Sequence, residues 1–291
     1  MRKIKGYLDE WRIQEYLLIT FFISWLSWGI LILLTALNVI EFLSVLGVML
    51  FLLGGFGPTI SAIMCIDGKI SFKRIWKFIT EHRKGTIGYA LLFAIMLIGV
   101  FVLDRIAQGG HPITYLGVAL VDSPKILANI ILSLALGFIV VALIGGGNEE
   151  LGWRGTLQPL MEKVIGNKIK SKTLNFVITT IVVGLIWALW HLPLWFVVGS
   201  AQQGTNYGLF VVSCVLISFW LGCIYHKTRS VLYCMLFRAI VDIMLNVLLY
   251  PSWIMYLSFA VMAVVAIILV GCGKEGKDAN TTKRLTDDAD D

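Results

Sequence analysis

Two adjacent glutamates and an arginine follow a long uncharged run in the stretch GGGNEELGWRG, residues 145–155. On a helix, Glu150 and Arg154 are four residues apart and can pair, whereas Glu149 projects from an adjoining face. The three glycines predict a break in the incoming helix, with Asn148 as the cap of the next one, whose N-terminus favours negative charge. The spacing therefore predicts one neutralised glutamate and one that remains free for chemistry.

A histidine ends a second apolar helix further along the chain. Trp187 lies one turn before His191, and Pro193 indicates a kink or the end of the helix. A lone histidine is more often a hydrogen-bonded core residue than a ligand. However, Glu149 lies about 18 residues before the basic turn at 167–172 and His191 about 20 residues after it, so a helical hairpin brings both to similar depth. We therefore expect these two side chains to meet.

Arg238 and Asp242 are the other ionisable residues within an apolar stretch. Such groups are costly in lipid and are by default candidates for function. They are four residues apart, so they can also neutralise each other as a purely structural bridge. Counted from the nearest basic loops, Arg238 lies about 14 Å deep and His191 about 28 Å deep, so the helix carrying His191 must tilt if the motifs converge.

Composition identifies a membrane protein. Hydrophobic residues make up 58% of the chain, charged residues only 14%, and the mean hydropathy is +0.85. Because backbone polar groups need partners inside lipid and strand-like alternation is absent, we predict an all-α polytopic transmembrane helical bundle. Its eight expected spans are 16–40, 42–66, 85–103, 126–148, two within 173–226 on either side of a turn at 199–208, 231–249 and 253–270.

The basic residues predict the topology. With a cytoplasmic N-terminus, all but three of the 24 Lys and Arg residues fall on cytoplasmic segments or at their edges, the exceptions being Arg105, Lys125 and Arg238. Both termini are therefore expected in the cytoplasm. No basic stripe or motif indicates nucleic-acid binding, so the bilayer itself is the expected partner of the positive charge.

The chain divides into one membrane domain and a tail. Residues 1–272 are predicted to form a single integral-membrane domain, and the polar residues 273–291 a disordered cytoplasmic tail. Within the domain, residues 71–84 carry Phe72, Ile75, Trp76 and Ile79 at helical spacing among basic residues. This pattern is typical of a helix lying on the inner leaflet.

These motifs resemble those of the CAAX-protease and bacteriocin-processing (CPBP) intramembrane endopeptidases, which are related to the type II CAAX prenyl protease. EELGWR, residues 149–154, matches the family's EExxxR motif, and Trp187 with His191 matches its aromatic-xxx-His motif. The resemblance extends over about residues 54–246. The family's last motif is a His followed four residues later by Asn, and this chain has Arg238 and Asp242 there instead.

The resemblance implies an eight-helix, CAAX-protease-like architecture and hydrolysis of peptide bonds in membrane-tethered or leader-bearing substrates, in a bacterial cell membrane. It further implies Glu149 as the general base, with His191 positioning the attacking water directly or through a bound zinc ion. The implied supporting residues are the pair Glu150 and Arg154, the oxyanion or substrate contacts Arg238 and Asp242, and the neighbours Trp187 and Asn148. A zinc site would use His191, Glu149 and Asp242, which leaves it poor in nitrogen ligands.

Two other classes of function stay open at this point. Because Arg238 cannot replace a histidine as a metal ligand, the chain is alternatively a catalytically degenerate relative, acting as a membrane binding protein or in bacteriocin self-immunity. A small-solute transporter would also place charges within spans, but inverted repeats and paired broken helices are absent from the sequence. The substrate and the oligomeric state are not indicated by any motif.

Overall fold

The computed structural model describes residues 2–65, 72–80, 87–107, 124–247 and 252–272. Every regular element in these ranges is a helix, which confirms the predicted all-α class. The predicted tail, residues 273–291, lies outside the described ranges, and the division of the chain into one domain and a tail stays a prediction.

Twelve α-helices are described in these ranges, together with one π-helical and one 3-10 segment. They are α1 (Arg2–Ala36), α2 (Val45–Gly55), α3 (Gly57–Met64), α4 (Phe72–Thr80), α5 (Gly88–Ala107), α6 (Pro124–Leu143), α7 (Gly146–Gly152), the π segment (Trp153–Leu157), α8 (Gln158–Lys168), α9 (Lys172–His191), the 3-10 segment (Leu192–Phe196), α10 (Tyr207–Thr228), α11 (Val231–Val247) and α12 (Trp253–Gly271).

Six helical stretches of the described chain are long and apolar enough to cross a membrane, and a seventh span results if α2 and α3, bent by 47°, count as one. The expected span at 231–249 corresponds to α11 (Val231–Val247), which carries two charged side chains, and residues 248–251 lie outside the described ranges. The six or seven candidate spans of the described chain agree with the predicted polytopic bundle.

The span predicted at 126–148 is wrong at its C-terminal end. The candidate span instead runs over Ala135–Lys168, through the glycines, α7, the π segment and α8. A break does occur at the glycines, because α6 ends at Leu143 and α7 begins at Gly146. As a consequence, the two glutamates lie in the interior of a long helical stretch instead of at the edge of a cytoplasmic loop.

Neighbouring helices surround this stretch on several sides. Helix α7 packs against α3 and α11, α8 packs against α1 and α9, and α9 forms an antiparallel hairpin with α10. The core between them is rich in tryptophan: Trp28, Trp153, Trp187, Trp190 and Trp220 are all almost fully buried. Large aromatic side chains in contact with one another hold this centre rigid, while most exposed large side chains on the long helices are aliphatic, as a lipid-facing surface requires.

Candidate active site

Helix α7 begins one turn before the glutamates, and its cap is not the predicted one. Gly145 is the N-cap, and Asn148 lies inside the first turn, so the prediction of Asn148 as the cap is wrong. The Asn148 side chain instead donates to the carbonyl of Ile144 at 2.9 Å, and its own carbonyl accepts from Thr59 Oγ1 at 2.6 Å. Asn148 therefore bridges the helix break by a hydrogen bond and links α7 to α3.

The glycines before the glutamates permit the close approach of α11. A Cβ atom at Gly146 would lie 2.7 Å from Arg238 Nη2 and even closer to the Asp242 carboxylate. Any side chain there would push the two charged residues of α11 away from α7. The glycines thus serve close packing as well as the helix break that the sequence predicts.

The predicted pair between Glu150 and Arg154 is confirmed. Arg154 Nη1 lies 3.1 Å from Glu150 Oε1, and both side chains are 0% exposed. Arg154 Nη2 donates to Ser218 Oγ on α10 at 3.0 Å, and its guanidinium lies 5.5 Å from the centre of the Trp187 ring on α9. A single buried cation therefore connects three helical segments.

Glu149 is held by donors through one of its two oxygens. Trp187 Nε1 donates to Glu149 Oε2 at 2.9 Å and Trp153 Nε1 donates to the same atom at 3.3 Å, while Arg238 Nη1 lies 3.8 Å away. The expectation that this glutamate is free is therefore wrong for Oε2. The other oxygen, Oε1, accepts no hydrogen bond from any residue in the described ranges.

His191 has a defined tautomer because of its position at the end of α9. Its Nδ1 lies 2.9 Å from the carbonyl of Trp187, and since a carbonyl can only accept, Nδ1 carries the proton. In the neutral imidazole, Nε2 therefore keeps its lone pair. The rings of Trp190 and Phe210, with centroids 4.5 and 5.1 Å from the imidazole, fix its orientation.

Trp187 joins the predicted base to the predicted histidine. Its indole N–H contacts Glu149, its carbonyl contacts His191 one turn later, and its ring centre lies 4.3 Å from the Arg238 guanidinium carbon. All three motifs thus converge on one side of the bundle, despite the difference in depth that counting from the loops suggests.

Arg238 lies among three carboxylates. Its Nε donates to Asp242 Oδ1 at 2.7 Å, and its Nη1 lies 3.8 Å from Glu149 Oε2 and 4.0 Å from Glu150 Oε1. The predicted pairing of Arg238 with Asp242 is present, and the same guanidinium faces the EExxxR motif. Arg238 is therefore at once the partner of Asp242 and a part of the candidate site.

The predicted zinc ligands do not form a ligand set as they are placed. Across the described ranges, no group of three or more His, Cys, Asp or Glu side chains could hold a metal ion. The guanidinium of Arg238 lies against both Glu149 and Asp242, where it would repel a cation. Arginine itself has no acceptor to offer a metal. Zinc binding by His191, Glu149 and Asp242 therefore stays a prediction to be measured, and the chemistry proposed below does not depend on it.

Two residues of the site are missing from the sequence-based prediction. Trp153 lies four residues after Glu149, so helical spacing could have identified it as a neighbour. Ser218 lies 64 residues after Arg154 in an apolar helix, where no local pattern marks it. Its role as a partner of Arg154 can be recognised only from the packing of α10 against the π segment.

Comparison with known proteins agrees with the motifs. Residues 131–244 match the family model described as Type II CAAX prenyl endopeptidase Rce1-like, and every residue predicted for the site lies within this range. Searches against curated proteins and against solved structures returned no significant match. This match supports the assignment to the CAAX protease (CPBP) family that the EExxxR and aromatic-xxx-His motifs indicate.

Proposed function

We propose that this protein is an intramembrane endopeptidase in which Glu149 and His191 act together on a water molecule. One observation carries the proposal: Trp187 binds one atom of each residue and leaves the reactive atom of each without a hydrogen-bond partner in the described chain. These reactive atoms are Glu149 Oε1, which can accept a proton, and His191 Nε2, which can accept a hydrogen bond from water. Fixed orientation of this kind is what general base catalysis requires.

The proposed reaction is hydrolysis of a peptide bond. Glu149 Oε1 takes a proton from water while the water oxygen attacks the carbonyl carbon, and the developing oxyanion is stabilised by the fixed positive charge of Arg238. Glu149 then passes the proton to the nitrogen of the leaving amine as the C–N bond breaks. In this scheme, Glu150 and Arg154 keep α7 in place and do not touch the substrate.

The proposed substrates are peptides that are tethered to the membrane or carry a leader segment. All site residues lie within or beside apolar helical stretches, so a substrate must approach through the bilayer or from its surface. The lipid bilayer is the other proposed partner, and a bacterial cell membrane with both termini in the cytoplasm is the proposed location.

A second candidate is a catalytically degenerate relative that binds a peptide without cleaving it, for instance in bacteriocin self-immunity. The observation in its favour is Arg238, whose guanidinium lies beside Glu149, Glu150 and Asp242 together. Such a cluster balances most of its own charge, so it needs no substrate or metal to stabilise it.

Cleavage of a panel of membrane-tethered peptides by the purified protein in liposomes tests the proposal. Removing a general base lowers hydrolysis by about 10²- to 10⁴-fold, so Glu149→Gln is expected to abolish measurable cleavage. Glu15→Gln, the same change at an exposed position of α1, is the matched control and is expected to cleave like the wild type. Equal processing by wild type and Glu149→Gln contradicts the proposal, and binding without cleavage by the wild type supports the second candidate.

Arg238→His, combined with elemental analysis for zinc, distinguishes the two candidates further. If the change gives the protein both zinc and activity, the natural chain is a degenerate enzyme. If the change abolishes an activity that the wild type has, Arg238 takes part in catalysis.

A further inference from the structure

Helix α4 has an exposed aromatic pair that the proposed function does not use. Phe72 and Trp76 are 79% and 54% exposed, and their rings stack with centroids 6.2 Å apart. They lie four residues apart and therefore share one face of the helix. Large exposed aromatic side chains in contact with each other indicate an interaction surface.

The other faces of α4 show how this pair is oriented. Ile75, Phe78 and Ile79 are partly buried and pack against the protein core, on the side of α11. At 100° per residue, the aromatic pair lies directly beside this packed face, and Lys73 and Lys77 come next around the helix. Around the helix, the face packed against the protein core is thus followed by the aromatic face and then by the basic face.

The basic face of α4 has no counter-charge among the residues that the structure describes. Lys73 and Lys77 are both exposed, and neither forms a salt bridge with a residue of the described ranges. In the sequence, residues 67–84 contain six Lys or Arg residues and only two acidic ones. An anionic surface outside the protein would supply the complementary negative charge.

We propose that α4, through Phe72, Trp76, Lys73 and Lys77, is a docking surface for anionic phospholipid. The stacked aromatic rings enter the boundary between headgroups and acyl chains, where amphipathic Trp is favoured, and the two ammonium groups bind lipid phosphates. The helix lies in the plane of the membrane surface with its packed face against the bundle. This lipid binding is distinct from proteolysis and requires no peptide substrate.

The docked helix is in direct contact with the segment that carries Arg154. A Cβ atom at Gly155 would lie 3.1 Å from Phe78 Cε1 and 3.3 Å from Val231 Cγ2, so α4, the π segment and α11 meet at this glycine. Lipid bound on the outer faces of α4 therefore restrains a helix that packs against the π segment, which carries Arg154 of the candidate active site.

Hydrogen exchange of residues 72–80 tests the proposal without any enzymatic assay. Nanodiscs holding one copy of the full chain are prepared with phosphatidylcholine alone or with added phosphatidylglycerol. Backbone amides in this segment are expected to exchange more slowly with the anionic lipid, because opening of α4 then requires release of the bound headgroups. Two lysines at an anionic surface correspond to about a thirtyfold effect, so Lys73→Gln with Lys77→Gln is expected to remove about that much protection.

Lys168→Gln with Lys170→Gln, at two exposed lysines in another segment, is the matched control and is expected to keep the protection. Equal exchange of residues 72–80 in both lipids overturns the proposal. Protection that is already complete in phosphatidylcholine and insensitive to the lysine pair overturns it as well. Discs that hold two copies are prepared in parallel; protection that appears only in these discs assigns the surface to a second copy of the chain and also overturns the proposal.

Discussion

Replacement of Arg154 by methionine is expected to destabilise the bundle strongly, although the new side chain is apolar. Arg154 is 0% exposed, and its removal leaves the equally buried Glu150 carboxylate without its partner at 3.1 Å. It also removes the hydrogen bond to Ser218. The change therefore creates an uncompensated charge in the interior of the protein.

The expected cost follows from these contacts. Removing one partner of a buried ion pair costs about 3 to 5 kcal/mol. Arg238 Nη1, 4.0 Å from the same Glu150 oxygen, remains as a weak second partner, so we expect a value near the lower end, about 3 kcal/mol. Glu150→Met together with Arg154→Met removes both charges, and the double variant is expected within about 1 kcal/mol of the wild type.

Two atoms of the pair explain why the double variant recovers. Glu150 Oε2 and Arg154 Nε are buried without a hydrogen-bond partner in the described chain. The natural pair therefore carries a desolvation cost that its contacts do not fully offset, and an apolar replacement removes that cost.

Unfolding by SDS in mixed micelles, followed by tryptophan fluorescence, measures these differences, since the Trp187 ring lies 5.5 Å from Arg154 and further tryptophans are buried in the core. Ser218→Ala is the control for loss of the hydrogen bond alone and is expected to cost about 1 kcal/mol. If Arg154→Met costs less than the Ser218→Ala control, or if the double variant loses the sum of both single changes, the reasoning about a coupled buried pair is wrong.

Two further predictions concern the immediate surroundings of the site. Trp187→Phe removes the 2.9 Å hydrogen bond to Glu149 and is expected to lower the rate of peptide cleavage about tenfold. Trp153→Phe removes a longer bond of 3.3 Å and is expected to lower the rate by a smaller factor. Equal effects of the two changes on the measured rates would contradict this order. Gly146→Ala is expected to cost about 1 to 3 kcal/mol in the SDS unfolding assay because its Cβ would overlap the charged pair of α11, whereas Gly137→Ala, with nothing within 4 Å of its Cβ, is expected to be neutral or stabilising. Equal stability of the two alanine variants would show that α11 shifts away at no cost.

The parts of the site that depend on helical spacing could be predicted from sequence. Glu150 with Arg154 and Arg238 with Asp242 are each four residues apart, and each pair forms as expected. Local geometry alone determines such contacts once the segment is helical. The sequence also predicts that Glu149 and His191 meet, because a short basic turn separates their helices; in the structure each of the two contacts Trp187.

Contacts that depend on how helices pack could not be predicted in this way. Trp187 lies 38 residues from Glu149, and nothing in the sequence shows that its indole N–H points at that carboxylate. Asn148 was misplaced as a cap because the break falls three residues earlier, where the glycines allow α11 to approach.

The two charges of α11 have a consequence for how the protein is made. Arg and Asp at the centre of a helix each disfavour insertion into lipid by about 2.5 to 3.5 kcal/mol, so α11 is a poor candidate for independent entry into the bilayer. Asp242 on α11 itself is the nearest partner of Arg238, but the two further carboxylates that face it, Glu149 and Glu150, lie on α7, which the ribosome synthesises first. We therefore expect membrane integration of α11 to be easier once α7 is in place, so that the same charged groups that are proposed to perform chemistry also assist the assembly of the bundle.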